Sequence, residues 1–498
     1  MSRSHWEGLA RRFAAERRWV DALEAYDAWL KVEPDCVVAL LGRGRTLMWL
    51  RRREEAVASF AGAAAIDPGV FEAHANLGVA LRELGRHGEA LESFSTALTL
   101  HRQPPLQLRR YWLETLSEVE GPGAAVAWLE RQGPAAEDPE LTSVWAESLA
   151  RLGRFPEARE VYDRAVQLAP GSLAVRHGRG LIDLALGRFA TGWDGYEDRW
   201  GLNARNGFTG PSQLMERLIV RPEPATLAGA DVVLLGEQGI GDVIMFASII
   251  PDLLAVAGRV SLLTEPRLCR LFAGAFPDMQ LSVLWPGAKV LGLGSLGYAF
   301  RREARTFPGA PYLRASAPAR SRARARLGSP APGCRRIGLS WRGGAATTGR
   351  GRRSVALAEL MPVLSRPDVE FVSLQYGRHE EEIAAVNRQL PRPIVVPPPE
   401  MIDDFDDLAG FVSELDGVLS VQTALIHLCG GLGAPCVVMV PRVPEWRYGA
   451  EGSAMLWYRS VTLVRERAEG GLAQVAAEAL QTLIATIDGG PSRLTADG

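Results

Sequence analysis

Gly78-Val-Ala-Leu-Arg-Glu-Leu-Gly-Arg-His-Gly-Glu-Ala90-Leu-Glu-Ser-Phe94 carries a pattern that the first two fifths of the chain repeats. A small residue is followed twelve positions later by another small residue, and four positions after that by an aromatic. In steps of 34 positions the middle place reads Ala22, Ala56, Ala90, Ala124, Ala158 and Gly192. The aromatic place reads Tyr26, Phe60, Phe94, Trp128, Tyr162 and Tyr196, and the leading place Ala10, Gly44, Gly78, Trp112, Ala146 and Gly180. Pro34, Pro68 and Pro170 keep the same register. Self-similarity at such a period signals stacked supersecondary units. Each of the six units reads as two antiparallel helices: the small residues let the pair pack closely, the aromatic fills the space between neighbouring pairs, and proline stops the second helix. The fourth unit departs from the pattern, with Trp112 at a small position and Gly121-Pro122-Gly123 at the turn, so a local distortion is expected there.

The series resembles the tetratricopeptide repeat over roughly residues 4–205. Solenoids of this kind expose a concave groove suited to an extended peptide or a protein surface. The expected partner of the groove is therefore a protein; the alternative is a solenoid that only dimerises or props up the next domain.

The whole chain has 498 residues, a formal net charge of −2 and 47% hydrophobic residues, which describes a packed protein and not a disordered one. No basic excess marks a nucleic-acid or membrane-surface binder. Arginine supplies nearly all the positive charge, Lys31 and Lys289 being the only lysines. The five cysteines are scattered without a CxxC pair, so neither a disulfide framework nor a zinc site is indicated. The opening Met-Ser-Arg-Ser-His-Trp-Glu lacks the apolar core of a signal peptide. The longest apolar stretch, Val232–Ala257, is interrupted by Glu237, Gln238 and Asp242, so no transmembrane segment is expected. The expectation is a cytoplasmic protein.

After the proline-rich joint Arg221-Pro-Glu-Pro224 the pattern changes to strands alternating with helices, the signature of a parallel sheet. Asp231–Gly236 reads as a buried strand, Val243 to about Ala257 as a helix, Val260–Thr264 as a second strand and Leu281–Leu284 as a third. Arg314 to Arg326, rich in Ala, Ser and Pro, reads as a solvated linker. A second alternating half comes next, with strands at Arg336–Trp341, Val369–Leu374, Gly417–Ser420 and Cys436–Val440. Helices are expected there at Val355–Leu364, Asp404–Leu415, Ala424–Leu432 and Leu472–Ile487. Two parallel-sheet lobes leave a cleft at the carboxyl ends of their strands, where a nucleotide-linked ligand would bind.

The loop Glu237-Gln-Gly-Ile-Gly-Asp242 joins a strand to a helix whose N-terminus offers unpaired N–H groups and partial positive charge. It lacks the full GxGxxG fingerprint. Taken by its chemistry alone, Asp242 is a helix cap. Thr423 and His427 sit at another strand-to-helix junction, where they either face a ligand or serve the fold. Asp403-Asp404-Phe405-Asp406-Asp407 reads as a helix N-terminus in preference to a metal site. In Pro441-Arg-Val-Pro-Glu-Trp-Arg447, Trp446 or Arg447 either contacts a base or sugar or belongs to a rigid structural loop. No Ser-His-Asp or Cys-His signature stands out.

Gly236-Glu-Gln-Gly-Ile-Gly-Asp-Val-Ile-Met-Phe-Ala247 resembles the first loop of the heptosyltransferase-type glycosyltransferases (glycosyltransferase family 9), in the branch where tetratricopeptide repeats precede the transferase. Gly192–Trp200, Ile337-Gly-Leu-Ser-Trp-Arg-Gly343 with Arg353-Ser354, Phe371–Gln375, Asp404-Phe405 with Asp407, and Ser420–His427 followed by Gly430–Pro435 fit the same family in order. The resemblance implies a GT-B fold of two Rossmann-like lobes, a nucleotide-sugar donor, and an inverting reaction without a metal or other cofactor. The expected domains are the six-unit repeat domain at 1–205, a linker at 206–228, an acceptor-side lobe at 229–326 and a donor-side lobe at 327–498.

By the same resemblance Asp242 is the general base, and Gly239, Gly241, Trp341, Arg342, Arg352, Arg353, Gln375, Gln422, Thr423 and His427 bind the donor. The family usually has an aspartate before the threonine, against the donor sugar; this chain has Gln422, which favours a more acidic sugar than heptose. Repeat-fused transferases of this kind resemble bacterial protein O-glycosyltransferases, including those that modify flagellin with nonulosonic acids from CMP donors. A protein-glycosylating enzyme is the expectation. A lipopolysaccharide or polysaccharide transferase, and a repeat scaffold whose transferase fold has lost activity, are its rivals.

Overall fold

The computed structural model describes residues 3–132, 138–202, 212–343, 353–467 and 471–489. The chain forms two compact bodies that divide between Gly171 and Ser172.

The first body is helical throughout its described residues. Its helical pairs are Arg3–Ala15 with Trp19–Val32, Val37–Trp49 with Arg53–Ile66, Phe71–Glu83 with His87–Leu100, Leu106–Val119 with Pro122–Gln132, and Pro139–Arg151 with Phe155–Leu168. The glycines of the leading position have a specific cause. A Cβ on Gly44 would come 2.4 Å from the Phe60 ring, and one on Gly78 would come 2.5 Å from the Phe94 ring. Each ring thus occupies the space over the glycine of its own unit. Tyr26 reaches instead to Gly42 of the next unit, where a Cβ would meet the ring at 2.3 Å. In the fourth unit Trp112 leaves no such room. Its ring meets Trp128 edge to face at 5.2 Å, and its indole N–H donates to Ser95 Oγ at 3.0 Å.

The second body begins with the sixth helical pair, Leu173–Ala185 and Phe189–Tyr196, so the last repeat is built like the others but packs with the α/β lobes. Its helices cross at backbone contact: a Cβ on Gly180 would lie 2.8 Å from Gly195 Cα, and one on Gly195 would lie 2.4 Å from Arg176 O. The first lobe follows with strands β1 (Val232–Leu235), β2 (Val260–Leu263), β3 (Met279–Leu281) and β4 (Lys289–Gly292), all parallel in the order β3-β2-β1-β4. The second lobe has β5 (Arg335–Ser340), β6 (Val369–Ser373), β7 (Gly417–Val421), β8 (Cys436–Val440), β9 (Ala454–Met455) and β10 (Tyr458–Arg465). Their order is β6-β5-β7-β8-β10-β9, parallel except for the β9 edge. Helical repeats followed by two parallel-sheet lobes are the architecture expected from the sequence.

Three sequence expectations need correction. The helix expected over Val243–Ala257 is two helices, Ile240–Ala247 and Ile250–Leu254, with Pro251 in the first turn of the second. Residues expected as a linker between Arg314 and Arg326 form the helix Ala317–Leu327, capped by Ser316. Its small residues Ala319 and Ala323 are buried, and Ala319 lies so close to the helix Phe405–Ser413 that a Cβ on Gly410 would stand 2.6 Å from its carbonyl oxygen. Its arginines turn outward, Arg322 to Asp407 and Arg324 to Glu414. This segment therefore packs against the second lobe although it precedes residue 327. Strands β4, β9 and β10 stand where no strand was expected.

One apolar cluster joins the sixth repeat to both lobes, running from Trp193 and Tyr196 through Phe246, Leu262 and Leu291 to Phe411, Leu425, Val438 and Tyr458. The other face of the second sheet has its own core, around Leu339, Trp341, Phe371, Met439 and Leu483.

Candidate active site

In open parallel sheets, ligands sit beyond the carboxyl ends of the strands where the strand order reverses. Here those reversals lie between β1 and β4 in the first lobe and between β5 and β7 in the second. A cleft of about 450 Å³ opens there, lined by Gly239, Gly241 and Asp242 from the loop after β1, Ser340 at the end of β5, and Gln422, Thr423 and His427 after β7.

Two helices begin at this cleft. Gly239 is the N-cap of Ile240–Ala247 and Thr423 is the N-cap of Ala424–Leu432. They nearly touch: a Cβ on Gly241 would come 3.3 Å from Ala424 Cα and from His427 Cδ2. Each helix start carries unpaired N–H groups and about half a positive charge, so the pair makes one anion-seeking wall.

Asp242 stands in the first turn of its helix, with Oδ1 2.5 Å from Arg447 Nη2. Burial alone would lower the Arg447 pKa, but the charges of Asp242 and Glu445 outweigh it and raise it. Arg353 approaches Glu445 at 3.6 Å, and Arg447 approaches the same carboxylate at 3.7 Å. Arg267 adds a third guanidinium to the lining.

Gln422 is 2% exposed, and among the described residues neither its amide nitrogen nor its amide oxygen has a hydrogen-bond partner. Such a buried amide costs about 1–3 kcal/mol. Thr423 Oγ1 shares a hydrogen bond with Ser420 Oγ at 3.3 Å. His427 Nδ1 lies 3.3 Å from the Tyr458 hydroxyl, and burial, helped by the Arg447 charge, pushes its pKa well below the usual 6.5. The imidazole is therefore neutral at pH 7.

The remaining sequence candidates divide. Gln375 does not line the cleft: its Oε1 accepts from Trp341 N, Arg342 N and Ser340 Oγ, and its Nε2 donates to Arg342 O and Tyr376 O. It fixes the turn after β5. Trp341 is wholly buried with its indole donating to Glu382, and Arg342 turns away to Arg378 O and Glu382, so neither lines the cleft. Arg352 lies outside the described residues. Asp404 caps Phe405–Ser413 by accepting from Asp406 N and Asp407 N, as the helix-terminus reading requires. In the Arg447 loop, Arg447 lines the cleft while Trp446 packs against Trp193 and Tyr196. Tyr448 and Glu445 also line the cleft, and no spacing in the sequence points to them.

Tetratricopeptide-repeat models match residues 7–70, 50–105 and 139–182, so the chain carries tetratricopeptide repeats. The chain is 29% identical over 489 residues to Protein FlbA of Caulobacter vibrioides, covering 92% of this chain and 80% of FlbA. Among solved structures, a glycosyl transferase family 9 protein of Veillonella parvula is similar at 12% identity, covering 52% of this chain and 98% of its own, with a TM-score of 0.40. YrrB, a tetratricopeptide protein with an unusual peptide-binding site, is similar at 18% identity over 37% of this chain and 94% of its own, with a TM-score of 0.29.

Proposed function

We propose that the protein is an inverting glycosyltransferase that moves a sugar from a nucleotide-sugar donor to a protein acceptor recruited by its repeats. The observation that carries this reading is the meeting of Asp242, two helix N-termini, Arg353, Arg447 and the unpartnered Gln422 amide in one cleft between parallel-sheet lobes. The acceptor hydroxyl oxygen forms a bond to the anomeric carbon while the bond from that carbon to the donor phosphate breaks. The proton passes to Asp242, and the phosphate leaves as an anion. Arg447 engages Oδ1, which leaves Oδ2 to take the proton.

The departing charge faces the helix starts and Arg353, so protein groups supply the neutralisation without any metal in the proposal. The neutral His427 and the Gln422 amide then hydrogen-bond the donor without repelling an acidic sugar, which supports a CMP-linked nonulosonic acid. Flagellin is the acceptor we would test first, and the cytoplasm, where such donors are supplied, is the proposed compartment.

The test is a thermal-shift titration with CMP, ADP, GDP, UDP and dTDP, run on the wild type, Arg353→Ala and Asp242→Ala. A ligand at 100 times its dissociation constant adds about 2.7 kcal/mol of stability. A shift with CMP that Arg353→Ala loses and Asp242→Ala keeps supports the reading. No shift with any of the five returns the chain to a repeat scaffold.

A further inference from the structure

The sixth helical pair and the short helix Arg199–Leu202 after it reach the loops on either side of the Asp242–Arg447 ion pair. On the first lobe, Gln238 Nε2 donates to the Tyr196 hydroxyl at 2.5 Å, and Arg199 Nη2 donates to Glu237 Oε1 at 2.8 Å. Glu237 and Gln238 are the residues through which β1 enters the helix that carries Asp242. Gln238 has φ +73°, a left-handed conformation that costs a non-glycine residue about 1–3 kcal/mol and persists only where its surroundings enforce it. Tyr196 supplies that enforcement.

On the second lobe, the Trp446 ring packs against Tyr196 at 5.9 Å and against Trp193 at 5.7 Å, edge to face in the second case. Arg447 is the next residue. One side chain, Tyr196, therefore holds the entry loop of Asp242 by its hydroxyl and the loop of Arg447 by its ring. Tyr196 is itself wholly buried, and burial raises its pKa, so the hydroxyl stays protonated.

We infer that Tyr196 is a positioning residue for the transfer step, making the last repeat unit part of the machinery that sets Asp242 against Arg447. The inference rests on the proposed glycosyl transfer. Misplacing a reacting group by 1 Å costs up to about 10²-fold in rate.

The experiment measures transfer from a CMP-activated nonulosonic acid to flagellin by intact mass, with CMP affinity and thermal midpoint measured on the same full-length proteins. Tyr196→Phe keeps the ring on Trp446 and removes only the oxygen that Gln238 uses. We expect kcat to fall on the order of tenfold, with CMP affinity within about twofold of wild type. Gln238→Ala, which removes the same hydrogen bond from its other end, gives a similar loss, and the double variant adds little to either.

Tyr162→Phe is the matched control, because Tyr162 holds the same repeat position one unit earlier; it leaves kcat unchanged. If the wild type transfers and Asp242→Ala abolishes transfer while Tyr196→Phe keeps full kcat, the inference fails and the proposed function stands. Equal losses in Tyr196→Phe and Tyr162→Phe also overturn it, since they would mark general repeat packing. If the wild type transfers nothing, both fall together.

Discussion

Arg447 Nη2 stands 2.5 Å from Asp242 Oδ1, and the two residues come from different lobes and lie 205 positions apart in the chain. Both side chains are largely shielded, at 14% and 16% exposure. Removing one partner of a shielded pair leaves the other charge uncompensated, at a cost of about 3 kcal/mol. Arg447→Ala should therefore lower the denaturation midpoint clearly. Asp242→Asn keeps the shape and an oxygen for Arg447, which Glu445 still faces at 3.7 Å, so it should cost less stability than Arg447→Ala and retain nucleotide binding while losing about 10²- to 10⁴-fold in transfer rate. Chemical denaturation and a transfer assay separate the two effects.

Gln422 should show the opposite of an ordinary core residue. Both of its amide atoms are buried without partners among the described residues, so Gln422→Leu removes an uncompensated cost and should leave the free protein as stable as wild type or raise its stability by up to about 1 kcal/mol. The same change should weaken donor binding at least about tenfold, because the cleft loses the hydrogen bonds the sugar would have completed. A variant that is both destabilised and unimpaired in binding would assign Gln422 to packing alone.

Acid should expose His427. Its folded pKa lies well below 6.5, while in the unfolded chain it titrates near that value. As pH falls below 6.5 the unfolded state therefore takes up the proton first, and the folded state loses stability relative to it. His427→Gln, which cannot titrate, should lose less stability than wild type between pH 7.5 and 5.5, measured by denaturant unfolding at each pH.

Gly78→Ala tests the repeat packing. The added Cβ would stand 2.5 Å from the Phe94 ring, with helix on both sides, so overpacking of about 1–3 kcal/mol is expected despite the better helix propensity of alanine. Circular dichroism during urea unfolding would register it. The same substitution at exposed Gly88, where a Cβ meets nothing within 4 Å, should be neutral or mildly stabilising.

Much of this molecule was legible because it is periodic or local. The spacing from Ala22 to Gly192 gave the helical pairs, and the strand, glycine turn and helix from Asp231 to Ala247 placed Asp242 at a helix start. What escaped depends on distant partners or on weak patterning. The helix Ala317–Leu327 has no large apolar stripe, and only the close approach of Ala319 to the glycine-bearing helix at Gly410 makes it pack. Gln375 looks like a donor ligand from its motif, yet its amide is consumed by the backbone of a turn 33 and 34 residues away. Arg447 and Asp242 share no local signal at all. Their pairing exists only once two sheets face each other.

The boundary at Gly171 has a consequence for how such proteins diversify. Gene rearrangements that add, delete or exchange repeats upstream of it leave the contacts of Trp193, Tyr196 and Arg199 with the α/β lobes in place. A breakpoint at residue 205 would strip Arg199 from the wholly buried Glu237 and empty the space that Trp193 fills beside Phe246. The unit that must be inherited together is therefore longer than its α/β portion. It carries one repeat as its own leading edge, and repeats are interchangeable only ahead of that edge.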